Sequence, residues 1–221
     1  MPYKLHGKLV AEAFASGRVP HPSGLVPMKA VHIGNLVVTS QAVVATDPIV
    51  ISGFKQFTQP VPNGRHPVTV AIAEIDGYER IAFARVQFSM LPSVSWKMAV
   101  TDLEKDPDEL GPGIFLGYGV DGATGCFTDP VASKLMGQRY KQEGPYFTFG
   151  DVIMDAMELT DQSTRGWCDV RLIEEREENI ICFTSGCGDG FFPSFFAFDA
   201  NCKVCQLVTD FLIFGEEGSS A

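Results

Sequence analysis

Two β-branched and aromatic runs, 67–75 (PVTVAIAEI) and 80–88 (RIAFARVQF), are separated by only four residues, DGYE. The pair Asp76-Gly77 is a strong signal for a tight hairpin turn, because both residue types tolerate positive φ. Alternation along the second strand predicts two faces, Ile81, Phe83, Arg85 and Gln87 on one and Ala82, Ala84, Val86 and Phe88 on the other. A chain with this segment near its middle is predicted to form antiparallel β-sheet.

The stretch TSGCGDGFFPSFFAFDANCKVCQLVTDF, residues 184–211, predicts a second hairpin near the end of the chain. We expect strands near 190–198 and 204–214 to pair antiparallel around the polar turn at 199–203. The predicted faces of the first strand are Phe192, Phe196 and Phe198 on one side and Phe191, Phe195 and Ala197 on the other. Because aromatic residues occupy both faces, this hairpin is expected in the middle of a sheet.

The fold class predicted from these patterns is α+β, a predominantly antiparallel β-sheet with one or two helices in the second half. In TDPVASKLMGQ, Thr128 or Asp129 is a candidate cap, Pro130 suits the first helical position and Gly137 is expected to end the helix. GDVIMDAMELT has helical spacing of its apolar residues and predicts a second helix.

The domain organisation follows from length and composition. At 221 residues, a single domain over 1–221 is expected, with a closing hairpin motif at 184–214. Residues 1–46 are predicted to be an irregular N-terminal segment, because VPHPSGLVPM contains three prolines in ten residues.

The formal net charge is −10, from 27 acidic and 17 basic residues. This charge disfavours a nucleic-acid partner, which requires a basic surface, and it suits a basic protein partner. The sequence has neither a recognisable secretory signal nor an apolar run long enough to span a membrane, so we expect a cytoplasmic protein without membrane association. The six cysteines are then expected to be reduced thiols.

The cysteines offer two chemical alternatives to a structural role. The pairs Cys182/Cys187 and Cys202/Cys205 could supply four thiolates to zinc, but the spacing of the first pair is loose. Cys187, flanked by glycines, could serve as a nucleophile if one of the four histidines approached it. We predict neither a metal nor a cofactor.

Acidic residues beside glycines form the remaining candidate site. Asp189 lies in SGCGDG, whereas Asp121 and Asp129 lie in GVDGATGCFTDP. If these carboxylates converge, they would make a cation site or an acid/base pair. If they remain apart, Asp189 and Asp121 are turn residues and Asp129 is a helix cap. Arg85, inside an apolar strand, is a fourth candidate and is expected to point outward or to the rim of a site. The candidate binding residues are Ser185, Gly186, Gly188, Asp189 and Gly190.

The same segments resemble the bacterial domain-of-unknown-function family 4241. The resemblance rests on GVDGATGCFTD, on GWCDV and on the closing stretch, and it extends upstream to Asp47-Pro48, HPVTV and RIAFARVQFS. The closing motif is matched by Ser185, Gly186, Gly188, Asp189, Gly190, Phe192, Pro193, Asp199, Asp210 and Phe211. The resemblance implies a β-rich α+β domain and supplies no reaction. Cys187 falls at a variable position of that motif, and Cys202 and Cys205 are outside it.

Three functions are compatible with these observations. The first is a non-catalytic protein-binding module, for example an immunity-type partner of a bacterial toxin. The second is a small hydrolytic or metal-assisted enzyme that uses Asp189 with Asp121 or Asp129, and the third is a structural domain without a ligand. For the binding module, two acidic runs supply the candidate contact residues Asp102, Glu104, Asp106, Asp108, Glu174, Glu175, Glu177 and Glu178.

Overall fold

The computed structural model describes residues 1–48, 55–101, 106–143, 149–160, 165–171 and 176–215. The helices are α1 (Gly7–Phe14), α2 (Pro130–Glu143) and α3 (Phe149–Glu158), with one 3-10 turn, η1 (Pro107–Glu109). The strands are β1 (Arg18–His21), β2 (Gly24–Val38), β3 (Val44–Thr46), β4 (Gly64–Ile75), β5 (Tyr78–Gln87), β6 (Ser95–Met98), β7 (Tyr118–Val120), β8 (Thr124–Thr128), β9 (Trp167–Arg171), β10 (Asn179–Thr184), β11 (Gly190–Phe192), β12 (Ser194–Phe198) and β13 (Val204–Asp210). This confirms the predicted α+β class, in which antiparallel sheet predominates.

The described strands form three sheets. A seven-stranded sheet has the order β1-β2-β4-β5-β13-β12-β6, a four-stranded sheet has the order β3-β8-β10-β9, and β11 pairs with β7. The predicted hairpin β4–β5 is confirmed: Ile75 pairs with Tyr78 across a turn in which Asp76 and Gly77 have φ of 52° and 81°. Two consecutive positive φ values are those that a tight two-residue hairpin turn requires.

One prediction about the faces of β5 is wrong. Ala71 pairs with Phe83 and Ile72 pairs with Ile81, so Ala82 is an extra residue at a β-bulge. A bulge reverses the alternation of side chains along a strand. Ile81 therefore faces the opposite side of the sheet from Phe83 and Arg85, and it packs in a different core cluster from Phe83.

The closing hairpin is confirmed. β12 pairs antiparallel with β13, from Ser194 opposite Thr209 to Phe198 opposite Val204. Both strands are internal, because β13 also pairs with β5 and β12 with β6. Pro193 separates β12 from β11, so the first part of the predicted strand leaves the large sheet and pairs with β7 instead.

Three apolar clusters lie on the faces of the two larger sheets. The largest joins the seven-stranded sheet to the four-stranded sheet and includes Phe127 and Phe196. A second covers the other face of the large sheet and includes Val10 of α1. The third covers the other face of the small sheet and includes Ile153 of α3. The two sheets thus form the inner layers, because each of these sheets is apolar on both faces.

The prediction of an irregular segment over residues 1–46 is wrong. This segment contains α1, β1 and the 15-residue strand β2. The prolines are tolerated because β1 is an edge strand and Pro27 precedes Met28, the first residue of β2 that pairs with β4. The prediction of one domain over the whole chain stays a prediction.

The helices of the second half begin as predicted but the first one continues further. Pro130 begins α2, and α2 passes through Gly137 to Glu143 instead of ending there. A glycine inside a helix costs only about 1 kcal/mol relative to alanine, which does not end a helix by itself. Within the described ranges, no helix has the length and apolar character needed to cross a membrane.

Candidate functional site

The glycine-rich loop after β10 is a tight turn held by Ser185. The Ser185 hydroxyl donates to the carbonyl of Gly188 at 2.8 Å, and the Gly188 N–H donates back to the Ser185 carbonyl at 2.8 Å. Gly186 and Gly188 have φ of 56° and 117°, a region that side chains with a Cβ rarely adopt. A Cβ on Gly186 would lie 2.9 Å from the Cβ of Phe211. These two glycines therefore have a structural role in the turn.

Asp189 joins this turn to the other glycine-rich stretch. Its Oδ1 accepts a hydrogen bond from the N–H of Ala123 at 2.8 Å, and the N–H of Ser185 donates to the Ala123 carbonyl at 3.1 Å. On the other side of the same loop, Oδ2 of the buried Asp47 accepts from the N–H groups of Asp121 and Gly122, both at 2.8 Å. The two predicted loops are thus brought together, and the carboxylates of Asp189 and Asp47 bind backbone donors of the loop at 121–123.

A cleft of about 330 Å³ opens beside the joined loops. It is lined by Arg80, Gly122, Ala123, Thr124, Met154, Met157, Glu158, Arg165, Gly166, Thr184, Ser185, Gly186, Cys187 and Gly188. Three of the predicted binding residues, Ser185, Gly186 and Gly188, line this cleft, whereas Asp189 and Gly190 are not among its lining residues.

The charges of the cleft come from residues that the sequence did not single out. Arg165 is 3% exposed, lies over the ring of Trp167 and forms an ion pair with Glu79 at 2.5 Å. Arg80 and Glu158 also line the cleft. Arg165 lies outside the motifs, and no spacing pattern predicts its pairing with a glutamate 86 positions earlier.

Asp129 lies away from this cleft. It is fully buried: Oδ1 accepts from the N–H of Val131 at 2.7 Å, which confirms the predicted cap of α2. Oδ2 accepts from the N–H groups of Thr39 and Ser40 at 2.8 and 2.9 Å. The five residues of β8 separate Asp129 from the loop at 121–123, a distance of roughly 16 Å along an extended strand. Asp129 and Asp189 therefore do not form a paired site.

Arg85 lies in the seven-stranded sheet, on the face covered by α1. Its guanidinium carbon is 4.0 Å from the ring centroid of Phe14, in a second cavity that it shares with Gln206. Burial lowers the pKa of Arg85 to about 10, so the side chain remains charged at neutral pH. Of the four candidates Asp121, Asp129, Asp189 and Arg85, only Asp121 and Asp189 belong to neighbouring loops.

The six cysteines are free thiols. Cys126, Cys182 and Cys168 lie side by side on β8, β10 and β9, and burial is the main cause that raises the pKa of Cys182. Cys187 and Cys202 are exposed. Within the described part of the chain, no three cysteine, histidine or acidic side chains are grouped as metal ligands. No histidine lines the cleft beside Cys187.

A buried acid that sequence analysis treated only as part of a motif is Asp210. It is 5% exposed and lines a cavity of about 340 Å³ near α1. Its carboxylate accepts from the hydroxyl of Tyr3 at 2.7 Å and from the N–H of Leu212 at 2.8 Å. Burial raises the pKa of Asp210 to about 6, and these hydrogen bonds oppose that rise. The available signal in the sequence was an aspartate inside the strand predicted near 204–214.

The fold and the joined loops define a β-rich α+β protein in which two glycine-rich turns are tied by carboxylates. The chain belongs to the family described as protein of unknown function (DUF4241), whose model matches residues 36–209. No curated protein and no solved structure matches the chain.

Proposed function

We propose that this protein is a cytoplasmic, non-catalytic binding module that recognises a protein partner with a basic surface. The observation that carries the proposal is that two of the predicted catalytic carboxylates accept hydrogen bonds from backbone N–H groups. Asp129 caps α2 and holds the backbone at 39–40, and Asp189 holds the N–H of Ala123. An acid/base pair needs two carboxyl groups directed at one substrate, and Asp129 and Asp189 hold backbone donors at different ends of β8.

The overall charge supports a basic partner. A net charge of −10 accelerates encounter with a cationic surface, and added salt screens that attraction. The same charge disfavours a nucleic-acid partner. An immunity-type role against a basic toxin is one form of this function.

Burial and ion pairs within the protein reduce the number of acidic residues that can contact a binding partner. Glu178 is buried and forms an ion pair with Arg176 at 2.9 Å, so the expectation that it contributes to an exposed acidic surface is wrong. Glu177 is exposed but lies 3.4 Å from Arg65. Asp106 and Asp108 are exposed on η1. The remaining four candidates, Asp102, Glu104, Glu174 and Glu175, lie outside the described residues.

A groove next to η1 fits the side chains of a basic partner. It has a volume of about 500 Å³ and is lined by Asp106, Asp108 and three aromatic residues, Tyr3, Trp96 and Phe195. Lysine and arginine side chains bind favourably over aromatic rings and beside carboxylates. Lys4 and Lys97 also line the groove and would need to turn toward solvent or toward the carboxylates.

The experiment is affinity capture from the native host at low and high salt, with two double variants. We expect a partner that is retained at low salt, released at high salt and bound at least tenfold more weakly by D106N/D108N. The matched control is E74Q/D76N, which removes the same charge at exposed positions of the β4–β5 hairpin and should bind as the unchanged protein does.

Two results contradict the proposal. The first is equal retention of the partner by both double variants, which would show that Asp106 and Asp108 do not contact the partner. The second is the absence of a partner at either salt concentration together with turnover, in a substrate screen, that Asp189→Ala abolishes. That second result would favour the small enzyme, with the cleft beside Cys187 as its site.

A further inference from the structure

A second groove, of about 360 Å³, lies between α1 and the seven-stranded sheet. Its lining residues are Gly7, Val10, Ala11, Phe14, Ala15, Arg85, Gln87, Met90, Leu91, Pro92, Ser93, Trp96 and Gln206. Small-molecule sites in proteins have volumes in the same range, and they combine apolar walls with a few polar groups. The groove is therefore large enough for a small organic ligand.

Arg85 brings a positive charge into this groove, and no acidic side chain of the described residues forms an ion pair with it. The bulge at Ala82 places Arg85 on the α1 side of the sheet, where it lies over the ring of Phe14. Its Nε is buried and has no hydrogen-bond partner among the described residues, and none of the residues that line the groove is acidic. A buried N–H without a hydrogen-bond acceptor is costly, and for a charged donor an anion is the strongest acceptor.

Gln206 adds an unpaired acceptor to the same groove. Its Oε1 is buried and has no hydrogen-bond partner among the described residues. Gln206 pairs with Gln87, two positions along β5 from Arg85, so it is a diagonal neighbour of Arg85 on the adjacent strand. The Nε2 of Gln87 already donates to the carbonyl of Ser89 at 3.1 Å. Arg85 Nε and Gln206 Oε1 are thus one cationic donor and one acceptor on adjacent strands, both buried, and each side chain must turn toward the groove to bind a ligand.

The chemistry of these groups restricts the ligand. Arg85 requires an anion, Gln206 requires an N–H or O–H donor, and Phe14, Leu91 and Trp96 offer apolar contacts. An α-carboxylate whose neighbouring nitrogen is acylated has the anion and the N–H donor one carbon apart. An apolar side chain on that carbon would lie against the aromatic and aliphatic walls.

We propose that this groove binds an N-acylated amino acid carboxylate with an apolar side chain, through Arg85 and Gln206. Such a group occurs both in a free N-acyl amino acid and at the C terminus of a peptide. The proposal does not depend on the basic partner proposed above, because it concerns a different groove and an anionic ligand.

The test uses N-acetyl-leucine as the probe and N-acetyl-leucinamide as its neutral counterpart. We expect N-acetyl-leucine at millimolar concentration to raise the melting temperature and to shift the side-chain amide NMR signal of Gln206. N-acetyl-leucinamide should cause neither change. A tetrapeptide ending in leucine distinguishes the two sources: binding at least as tight as that of N-acetyl-leucine indicates a peptide C terminus, and weaker binding indicates a free small molecule.

Two arginine variants provide the matched comparison. Arg85→Met retains an apolar contact with Phe14 and should weaken binding of N-acetyl-leucine at least tenfold, without lowering the melting temperature of the ligand-free protein. Arg18→Met removes an exposed arginine of β1 that is not among the residues lining this groove, and binding should be unchanged. If Arg85→Met does not fold, Gln206→Leu takes its place, with the same expected loss.

A purely structural Arg85 would give different results. In that case N-acetyl-leucine would leave the unchanged protein unaffected, and Arg85→Met would lower its melting temperature. Equal binding of the acid and the amide, or equal loss in the Arg85 and Arg18 variants, would also overturn the proposal.

Discussion

Replacing Asp210 with asparagine is expected to stabilise the protein at neutral pH. Asp210 is buried, and its pKa is about 6 in the folded protein against an ordinary value of 3.8. A carboxyl group whose pKa is raised in the folded protein stabilises the folded state when it is protonated. This stabilisation is complete below pH 3.8 and is lost as the pH rises through about 6. Asparagine keeps the shape of the side chain but cannot ionise.

The magnitude follows from the two pKa values. A pKa of about 6 in the folded chain and 3.8 in the unfolded chain correspond to about 3 kcal/mol at pH 7. The free energy of unfolding of Asp210→Asn, minus that of the unchanged protein, should therefore increase by about 2 kcal/mol between pH 4 and pH 7, because a small part of the effect is already present at pH 4. Changes in other acidic residues cancel in this difference, because both proteins contain them.

The assay is urea denaturation of both proteins at several pH values, with the ¹³C NMR titration of the Asp210 carboxyl carbon as a direct measurement. Tyr3→Phe is the matched variant: it removes the hydroxyl that donates to the carboxylate at 2.7 Å. Because that hydrogen bond lowers the pKa, the Tyr3→Phe variant should have an Asp210 pKa above 6 and a larger loss of stability at neutral pH. A stability difference that is constant from pH 4 to pH 7, or a carboxyl that titrates near 4, would refute the burial argument.

Three further substitutions test the loops and the cap. Gly186→Ala should lower the free energy of unfolding by more than about 1 kcal/mol, because Gly186 has a positive φ and an added Cβ would lie 2.9 Å from the Cβ of Phe211. Gly119→Ala is the control and should have little effect, because no atom lies within 4 Å of its added Cβ. Asp189→Asn should retain the hydrogen bond to the loop at 121–123, and thermal melting should change little; a loss of partner binding at unchanged melting temperature would make Asp189 a functional carboxylate. Asp129→Ala should cost about 2 kcal/mol in urea denaturation, since it removes the acceptor of three part-buried backbone N–H groups, and a cost near zero would show that water replaces the carboxylate.

The candidate site was only partly predictable, because its residues come from separate parts of the chain. Ser185, Gly186 and Gly188 were identified from the glycine-rich motif, and they line the cleft. Arg165 and Arg80 line it as well, but they come from other segments of the chain, and no sequence pattern links those segments to the glycine-rich motif. Pairing of the strands, and not local sequence, sets which residues share a cleft.

Local signals were sufficient where a feature depends on a few consecutive residues. Asp76-Gly77 adopts the turn because both residues tolerate positive φ, and Asp129 caps α2 because its carboxylate reaches the N–H of Val131, two residues along. The closing hairpin forms around the expected turn. It lies inside the sheet because its aromatic residues occupy both faces and require burial on both sides.

Tertiary structure decided the features that depend on long-range pairing. The extra residue at Ala82 exists only because β5 pairs with β4 in a shifted register, and it moves Arg85 to the α1 side of the sheet. The prolines of the first 30 residues suggested an irregular segment, but the edge position of β1 allows them within a hairpin. The sequence left open whether Asp121, Asp129 and Asp189 converge, and it favoured a helix cap as the role of Asp129. Their separation follows from the length of β8, which places two of the three at one end and Asp129 at the other.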